Sequence, residues 1–166
     1  MACLLVLLAG CSKTTESVSE LSSSVSSPTI EVPDLVEGYL LVIDHLVNYG
    51  SSGIHSWDKY LAIDTSEMVN LTPDDKTRLI KEMEKYKLQV LNKTWDELEK
   101  DGYIIGSEFE HGLLIIIEDK KMESNSITMD ASRERGALNA YGLLDFRIRF
   151  ASGQWEMADI NITWVS

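Results

Sequence analysis

The apolar residues of this chain change their spacing at Gly112, and this change limits the possible folds more than any other feature of the sequence. Before Gly112 they recur mostly at helical spacing, and after it they alternate with polar residues. Within residues 144–150, apolar side chains at every second position alternate with Asp145, Arg147 and Arg149. Such alternation is typical of a β-strand with one buried face. The C-terminal part is therefore predicted to be a sheet.

Further strands are predicted around this one. Residues 113–117 and 127–130 have the pattern of two strands joined by a polar turn, and a last strand begins at Trp155. The apolar residues of that last strand change parity near Ala158 and Asp159, which predicts a β-bulge there. Shorter apolar runs earlier in the chain are also predicted strands: residues 60–63 and 88–91.

Three helix starts precede the sheet-forming part. Asp34 can cap a helix whose apolar residues recur across 36–47. Thr72 opens a second helix, and Thr94 with Glu97 three positions later opens a third. Helices followed by strands predict an α+β fold, with the N-terminal helices packed on one face of a curved antiparallel β-sheet.

Length and composition fit one folded domain behind a short export segment. The chain has 166 residues, of which 44% are hydrophobic and 25% charged, and these proportions are typical of a globular domain. The formal net charge is -12. Because an acidic surface repels phosphate groups, nucleic acid is not expected as a partner.

The N-terminus carries the most specific motif. The apolar run from Cys3 to Leu8 is much shorter than the roughly 20 residues that span a bilayer as a helix, and it has the length of a signal-peptide core. The string Leu8-Ala9-Gly10-Cys11 that ends it resembles the lipobox of bacterial lipoproteins. That resemblance implies that residues 1–10 are a signal peptide and that diacylglycerol is joined to the thiol of Cys11.

A lipid on Cys11 would hold the chain at the extracytoplasmic face of the cell membrane, so the membrane itself is an expected partner. Residues 11–33 are rich in Ser and Thr and lack the apolar density to fold, which predicts a flexible tether. Residues 34–166 are predicted to form a single globular domain.

No cofactor or metal is predicted. The two cysteines, Cys3 and Cys11, would be removed and lipidated respectively, which leaves the domain no thiol for a disulfide or a zinc site. The three histidines, His45, His55 and His111, are scattered and match none of the short metal-binding spacings.

The candidate ligand-binding residues lie in one basic span of this acidic chain. The span contains Arg133, Arg135, Arg147 and Arg149, and a glycine-containing loop within it carries Tyr141. A guanidinium can bind a carboxylate or a phosphate through two parallel hydrogen bonds, so these residues predict a weak site for an anionic ligand. The alternative is that the arginines form cross-strand ion pairs on a solvated face and that the loop is a plain connection.

The layout of the domain resembles the cystatin-like and nuclear-transport-factor-2-like α+β folds. It is also similar to small lipoproteins of Gram-positive bacteria that have no assigned function, through residues 60–64, 130–133 and 164–166. These folds carry many unrelated functions, so the resemblance implies an architecture and no functional residue.

We expect a non-enzymatic module of the cell envelope that binds a protein, a peptide or a small ligand. The sequence contains no nucleophile elbow, phosphate loop or dinucleotide fingerprint. Two alternatives stay open: an immunity or exclusion lipoprotein that blocks a toxin, a phage or a transfer apparatus, and an envelope hydrolase. In the hydrolase, Asp64, Asp130 and Asp145 with one histidine would perform general acid–base catalysis in a sheet cavity.

Replacing Cys11 by alanine is expected to abolish incorporation of fatty acid, because the thiol is the predicted attachment point. Metabolic labelling with an alkyne fatty acid and in-gel fluorescence measures this incorporation. The neighbouring Ser12→Ala variant serves as the control and should label like the native chain. Equal labelling of the native and Cys11→Ala chains would contradict the lipoprotein prediction.

Overall fold

The computed structural model of the protein describes residues 33–50, 53–160 and 162–166. The predicted signal peptide, the lipidation site Cys11 and the tether up to residue 32 lie outside the described residues. Within them, helices pack against a seven-stranded sheet, which confirms the predicted α+β fold class.

The predicted helices are present, and their caps are the expected ones. The Asp34 carboxylate accepts from the backbone N–H of Val36, and Thr72 and Thr94 each form a reciprocal capping box. Within the described part of the chain, no helix has both the length and the apolar character needed to cross a bilayer. The helices are α1 (Leu35–Asn48), α2 (Pro73–Glu82), which continues into a 3-10 helix (Met83–Tyr86), and α3 (Trp95–Lys100).

The sheet is mixed and not wholly antiparallel. Its strands follow the spatial order β2-β1-β3-β4-β5-β6, and β7 also pairs with β5. β1 is parallel to both β2 and β3, because helical connections return the chain to the same end of the sheet between these strands. The strands are β1 (Tyr60–Asp64), β2 (Gln89–Asn92), β3 (Gly112–Asp119), β4 (Ser126–Gly136), β5 (Asn139–Ala151), β6 (Gln154–Ala158) and β7 (Ile162–Val165).

Near Ala158 and Asp159, where the parity change predicts a β-bulge, the structure has a break that divides the last strand into two. β6 pairs with β5 up to the Arg147–Ala158 pair, and β7 resumes the pairing at Leu144. Asp159 between them has a left-handed backbone, with φ of 51°. Both pieces therefore lie along the same edge of the long strand β5.

A β-bulge in β5 changes the face to which Leu144 belongs. Met129 pairs with Phe146 and Ala131 with Leu143, so two residues of β5 lie opposite Asp130 alone. One of the two, Asp145, has φ of 48°, and its N–H donates to the Asp130 carboxylate at 2.6 Å. The regular alternation predicted from Leu144 to Phe150 is wrong at its first residue, because Leu143 is buried and Leu144 is exposed.

The main core lies between α1, α2 and one face of the sheet, here called the inner face. α1 contributes an apolar stripe at helical spacing, and the strands contribute every second residue. Among its fully buried members are Tyr39, Val42, Ile43, Leu46, Leu61, Ile63, Leu79, Ile115, Ile117, Ile127, Leu143, Phe146 and Ile148.

A second, smaller core covers part of the opposite, outer face. Its members are Ala62, Leu91, Leu98, Phe109 and Leu114, and they bring α3 onto this face. The third helix therefore lies on the other side of the sheet from α1 and α2. β1 and β3 are buried on both faces here, as strands with parallel neighbours usually are. We call residues 93–111, which form this layer with α3, the cover segment.

Leu98→Ala is expected to lower the free energy of unfolding by about 2–4 kcal/mol, because this fully buried side chain joins α3 to the sheet. Urea denaturation followed by tryptophan fluorescence measures the loss. Ile105→Ala in the same segment is the control; its side chain is exposed, and we expect a change within about 0.5 kcal/mol. Equal losses in the two variants would show that the small core does not stabilise the fold.

Candidate functional site

The four arginines of the basic span do not form one site. Arg133 and Arg135 lie on the inner face of β4 and are 3% and 6% exposed. Arg147 and Arg149 lie on the outer face of β5, and their side chains are 50% and 53% exposed. The sheet separates the two pairs, so a single anion cannot contact all four.

Arg135 forms a buried ion pair that joins a loop to the sheet. Its guanidinium donates to both carboxylate oxygens of Asp58, at 2.7 and 2.5 Å, and to the carbonyls of Gly53 and Gly112, both at 2.9 Å. Asp58 also accepts from the backbone N–H of His55 at 2.7 Å. These bonds engage both terminal nitrogens of the guanidinium inside the protein, so Arg135 serves the fold.

The Asp58 carboxylate is held in its charged form. Burial alone would raise its pKa, but the hydrogen bonds from Arg135 and from the His55 N–H outweigh it, so the pKa lies below its ordinary value of 3.8. The pKa of Asp58 is lower in the folded state than in the unfolded state. The Asp58–Arg135 pair therefore stabilises the fold fully at pH values above the ordinary pKa of the carboxyl group. This stabilisation is lost as the pH falls through the folded-state pKa.

Arg133 and Tyr141 bind the C-terminal end of α1. Arg133 donates to the carbonyl of Tyr49, the C-cap residue, at 2.9 Å, and its guanidinium lies 5.4 Å from the centre of the Tyr141 ring. Tyr141 stacks on Tyr49 with ring centres 4.0 Å apart, and its hydroxyl lies 3.1 Å from Nε2 of His45. Burial, followed by the positive charge of Arg133, lowers the pKa of His45. These contacts position a helix end.

The prediction of a glycine-containing loop around Tyr141 is wrong. β4 extends to Gly136 and β5 begins at Asn139, so only Ala137 and Leu138 connect the two strands. Tyr141 is therefore a strand residue, and it is 2% exposed. Of the predicted loop residues, Gly136 and Ala137 border a depression beside the cover segment, whereas Tyr141 does not line it.

Arg147 and Arg149 line a cavity of about 430 Å³ together with Lys120 and polar side chains. Arg149 pairs with Glu156 of the neighbouring strand at 2.6 Å, and Arg147 lies 3.5 Å from the Asp159 carboxylate. This geometry fits the alternative to an anion site, in which the arginines form ion pairs on a solvated face. An anion that enters the cavity would have to compete with these carboxylates.

The acids of the hydrolase alternative, Asp64, Asp130 and Asp145, do not lie beside a histidine. Asp64 accepts from the N–H and hydroxyl of Ser66, and Asp145 pairs with Lys120 at 3.0 Å. These acids lie where β1 and β3 end, whereas His111 directly precedes the start of β3. Among the described residues, no group of three or more His, Cys, Asp and Glu side chains is placed to hold a metal ion.

The outer face carries an open groove beside the cover segment. The sheet register places five residues side by side across five strands: Asp64, Ile116, Ser132, Gly142 and Trp164. A side-chain carbon at Gly142 would overlap Nε1 of Trp164, so the indole lies directly over this glycine. Glycine inside a strand thus allows a large ring to lie flat against the sheet.

We call this surface, between the cover segment and β7, the outer groove. It consists of two adjoining depressions of about 190 and 390 Å³. The hydroxyl of Ser132, which lines the first, donates to the carboxylate of Glu134, which lines the second, at 3.1 Å. The side chains that line the groove include Trp95, Glu99, Ile104, Ile116, Glu118, Asp130, Ser132, Glu134, Leu144 and Trp164. Within the described part of the chain, no lysine or arginine lines either depression.

Sequence reasoning did not find this groove. Ser132 and Glu134 alternate with the buried arginines along β4, which was a signal that they face the other way. Gly142 inside a strand was a second signal, since glycine there marks a close approach. The missing information was the pairing of β7 with β5, which places Trp164 over Gly142.

Comparisons with known proteins identify no family for this chain. No protein-family model matches the chain, and neither a curated protein nor a solved structure matches it. The function is therefore inferred from the motif at Cys11 and from the surface of the domain.

Asp58→Ala is expected to lower the free energy of unfolding by about 3–5 kcal/mol, because it leaves the Arg135 guanidinium buried without its anion. Chemical denaturation at neutral pH measures the loss. Glu156→Ala is the matched control, since it removes an exposed partner of Arg149, and we expect the denaturation midpoint to stay nearly unchanged. A stable Asp58→Ala protein would mean that the buried pair does not hold the loop.

Proposed function

We propose that this protein is a lipid-anchored binding module of the bacterial cell envelope, without enzymatic activity, and that it binds a partner protein in the outer groove. The observation that carries the proposal is the contrast between the two sheet faces. Helices α1 and α2 fill the inner face, whereas the outer face beyond the cover segment presents aromatic and aliphatic side chains to solvent. Surfaces of this kind are typical of protein interaction sites.

The start of the domain supports the predicted division between tether and folded part. The Asp34 carbonyl accepts from the Trp155 indole N–H at 2.7 Å, and its carboxylate accepts two hydrogen bonds from Arg78. The chain is thus fixed to the sheet and to α2 from Asp34 onward. This fits a Ser-rich tether up to residue 33 that joins a lipidated Cys11 to a folded module.

The arrangement of titratable groups favours binding over catalysis. The Asp64, Asp130 and Asp145 carboxylates accept hydrogen bonds from their neighbours or pair with Lys120. General acid–base catalysis requires a titratable pair within reach of one substrate, and these acids have no histidine beside them. An immunity or exclusion lipoprotein would use the same kind of surface and would be a special case of the proposed module.

A photo-crosslinking residue at Leu144, which lies exposed at the outer groove, is expected to capture a discrete protein in intact cells. The measurement is a shifted band of the full-length chain after irradiation, identified by mass spectrometry. The control places the same residue at Lys81, an exposed position on α2, where no such band is expected.

Adducts of equal yield at both positions would indicate random collisions. Absence of any adduct at Leu144 and at a second groove position, Glu99, would overturn the proposed binding surface. Repeating the experiment with Cys11→Ala tests the anchor separately, since a partner at the membrane should be captured less by a chain without lipid.

A further inference from the structure

We propose that the segment bound in the outer groove is a cationic and apolar stretch of polypeptide, with lysine or arginine side chains beside large apolar ones. This inference rests on the proposed function and adds the chemistry of the partner. It is drawn from three properties of the groove: the sign of its charge, its exposed apolar area and the spacing of its carboxylates.

The charged side chains that line the groove are acidic. Glu99, Glu118, Asp130 and Glu134 line it, and no lysine or arginine among the described residues does. None of these four carboxylates lies within ion-pair distance of a described basic side chain. Elsewhere on the described surface, carboxylates such as Asp34, Asp44, Asp101 and Glu156 do pair with a lysine or an arginine. Lys120 lies beside Glu118 and Asp130 in a neighbouring depression, but its ammonium group pairs with Asp145. The groove therefore keeps a net negative potential, which attracts a positive partner and repels an anionic one.

The floor and the rim of the groove are apolar. In the smaller depression, Trp164 lies over Gly142 beside Ile116, and Leu144 lies next to them. Two large apolar side chains next to the larger depression are strongly exposed, Ile105 at 61% and Leu138 at 87%. Removal of these side chains from water favours a partner with apolar side chains of its own. Carboxylates around such a floor then select the charge of that partner.

The spacing of the carboxylates fits a polypeptide. Asp130, Ser132 and Glu134 alternate along the outer face of β4, so the Cα atoms of Asp130 and Glu134 are about 13 Å apart at the usual rise of a strand. Cationic residues about four positions apart in an extended segment cover the same distance. The apolar side chains between them would lie over Ile116 and Trp164.

Other occupants fit the groove less well. A second copy of this chain brings a net charge of -12 to an acidic surface, so self-association is opposed by repulsion. Anionic lipid headgroups and nucleic acids are repelled for the same reason. A small cation would satisfy the carboxylates and would leave the exposed apolar side chains in water.

The test uses the full-length chain in a neutral detergent and short fluorescent peptides of equal length. In the first peptide lysine and leucine take turns at every second position with serine between them, so that lysines recur every four residues on the same face as the leucines. In the second peptide glutamate replaces lysine, and in the third serine replaces leucine. Fluorescence anisotropy should show binding of the first peptide only, with an affinity that falls as salt is added. Equal binding of the first and third peptides would overturn the apolar half of the proposal.

A pair of charge-matched variants separates the groove from the general acidity of the chain. Glu134→Lys in the groove and Glu84→Lys at an exposed position of the 3-10 helix change the net charge by the same amount. We expect Glu134→Lys to weaken binding of the lysine–leucine peptide by about tenfold and Glu84→Lys by less than about twofold. Trp164→Ala should also weaken binding, whereas Trp57→Ala, which removes an exposed indole outside the groove, should not.

Equal weakening by Glu134→Lys and Glu84→Lys would show diffuse attraction and would overturn the assignment. Spermidine that displaces the peptide at equal affinity would assign the groove to a small cation. Self-association of the full-length chain that Glu134→Lys abolishes would assign the groove to a second copy. If the peptides fail while crosslinking from Leu144 still captures a discrete protein, the partner chemistry is wrong and the binding surface stands. If both fail, the proposed function fails as well.

Discussion

Burial of the inner sheet face under α1 and α2 is the constraint on which the rest of the structure depends. Side chains of neighbouring strand residues point to opposite faces. Where an apolar side chain is buried on the inner face, the side chains on either side of it in the sequence therefore lie on the outer face. Along β4, Met129 and Ala131 enter the core, and Asp130 and Ser132 are thereby placed on the outer face. The chemistry of the outer groove is thus determined by the same register that closes the core.

Local signals in the sequence predicted the helices well. Capping residues such as Thr72 and Thr94 act within one turn, so their effect can be read from neighbouring residues. The parallel pairing of β1 with β3 and the placement of α3 on the outer face depend on contacts between distant segments, which no local pattern encodes. The bulge opposite Asp130 also escaped prediction, because the alternation on either side of it looks uninterrupted.

The candidate site was harder to predict than the fold. Arginines close together in sequence suggested a common site, but Arg135 is committed to Asp58, which lies far away in the chain. Composition cannot distinguish a buried guanidinium that holds a loop from an exposed one that awaits a ligand. The groove carboxylates were overlooked for the opposite reason, since single acids such as Glu99 and Glu134 are inconspicuous in an acidic chain until the sheet brings them together.

The small core beneath α3 has a consequence for how such a protein can diversify during evolution. Leu98 and Phe109 hold the cover segment to β1 and β3 without joining the main core on the other side of the sheet. Solvent-facing positions of this segment, Glu99 among them, can therefore change from one descendant to another while folding is preserved. A lineage could in this way acquire new partners by altering one wall of its groove.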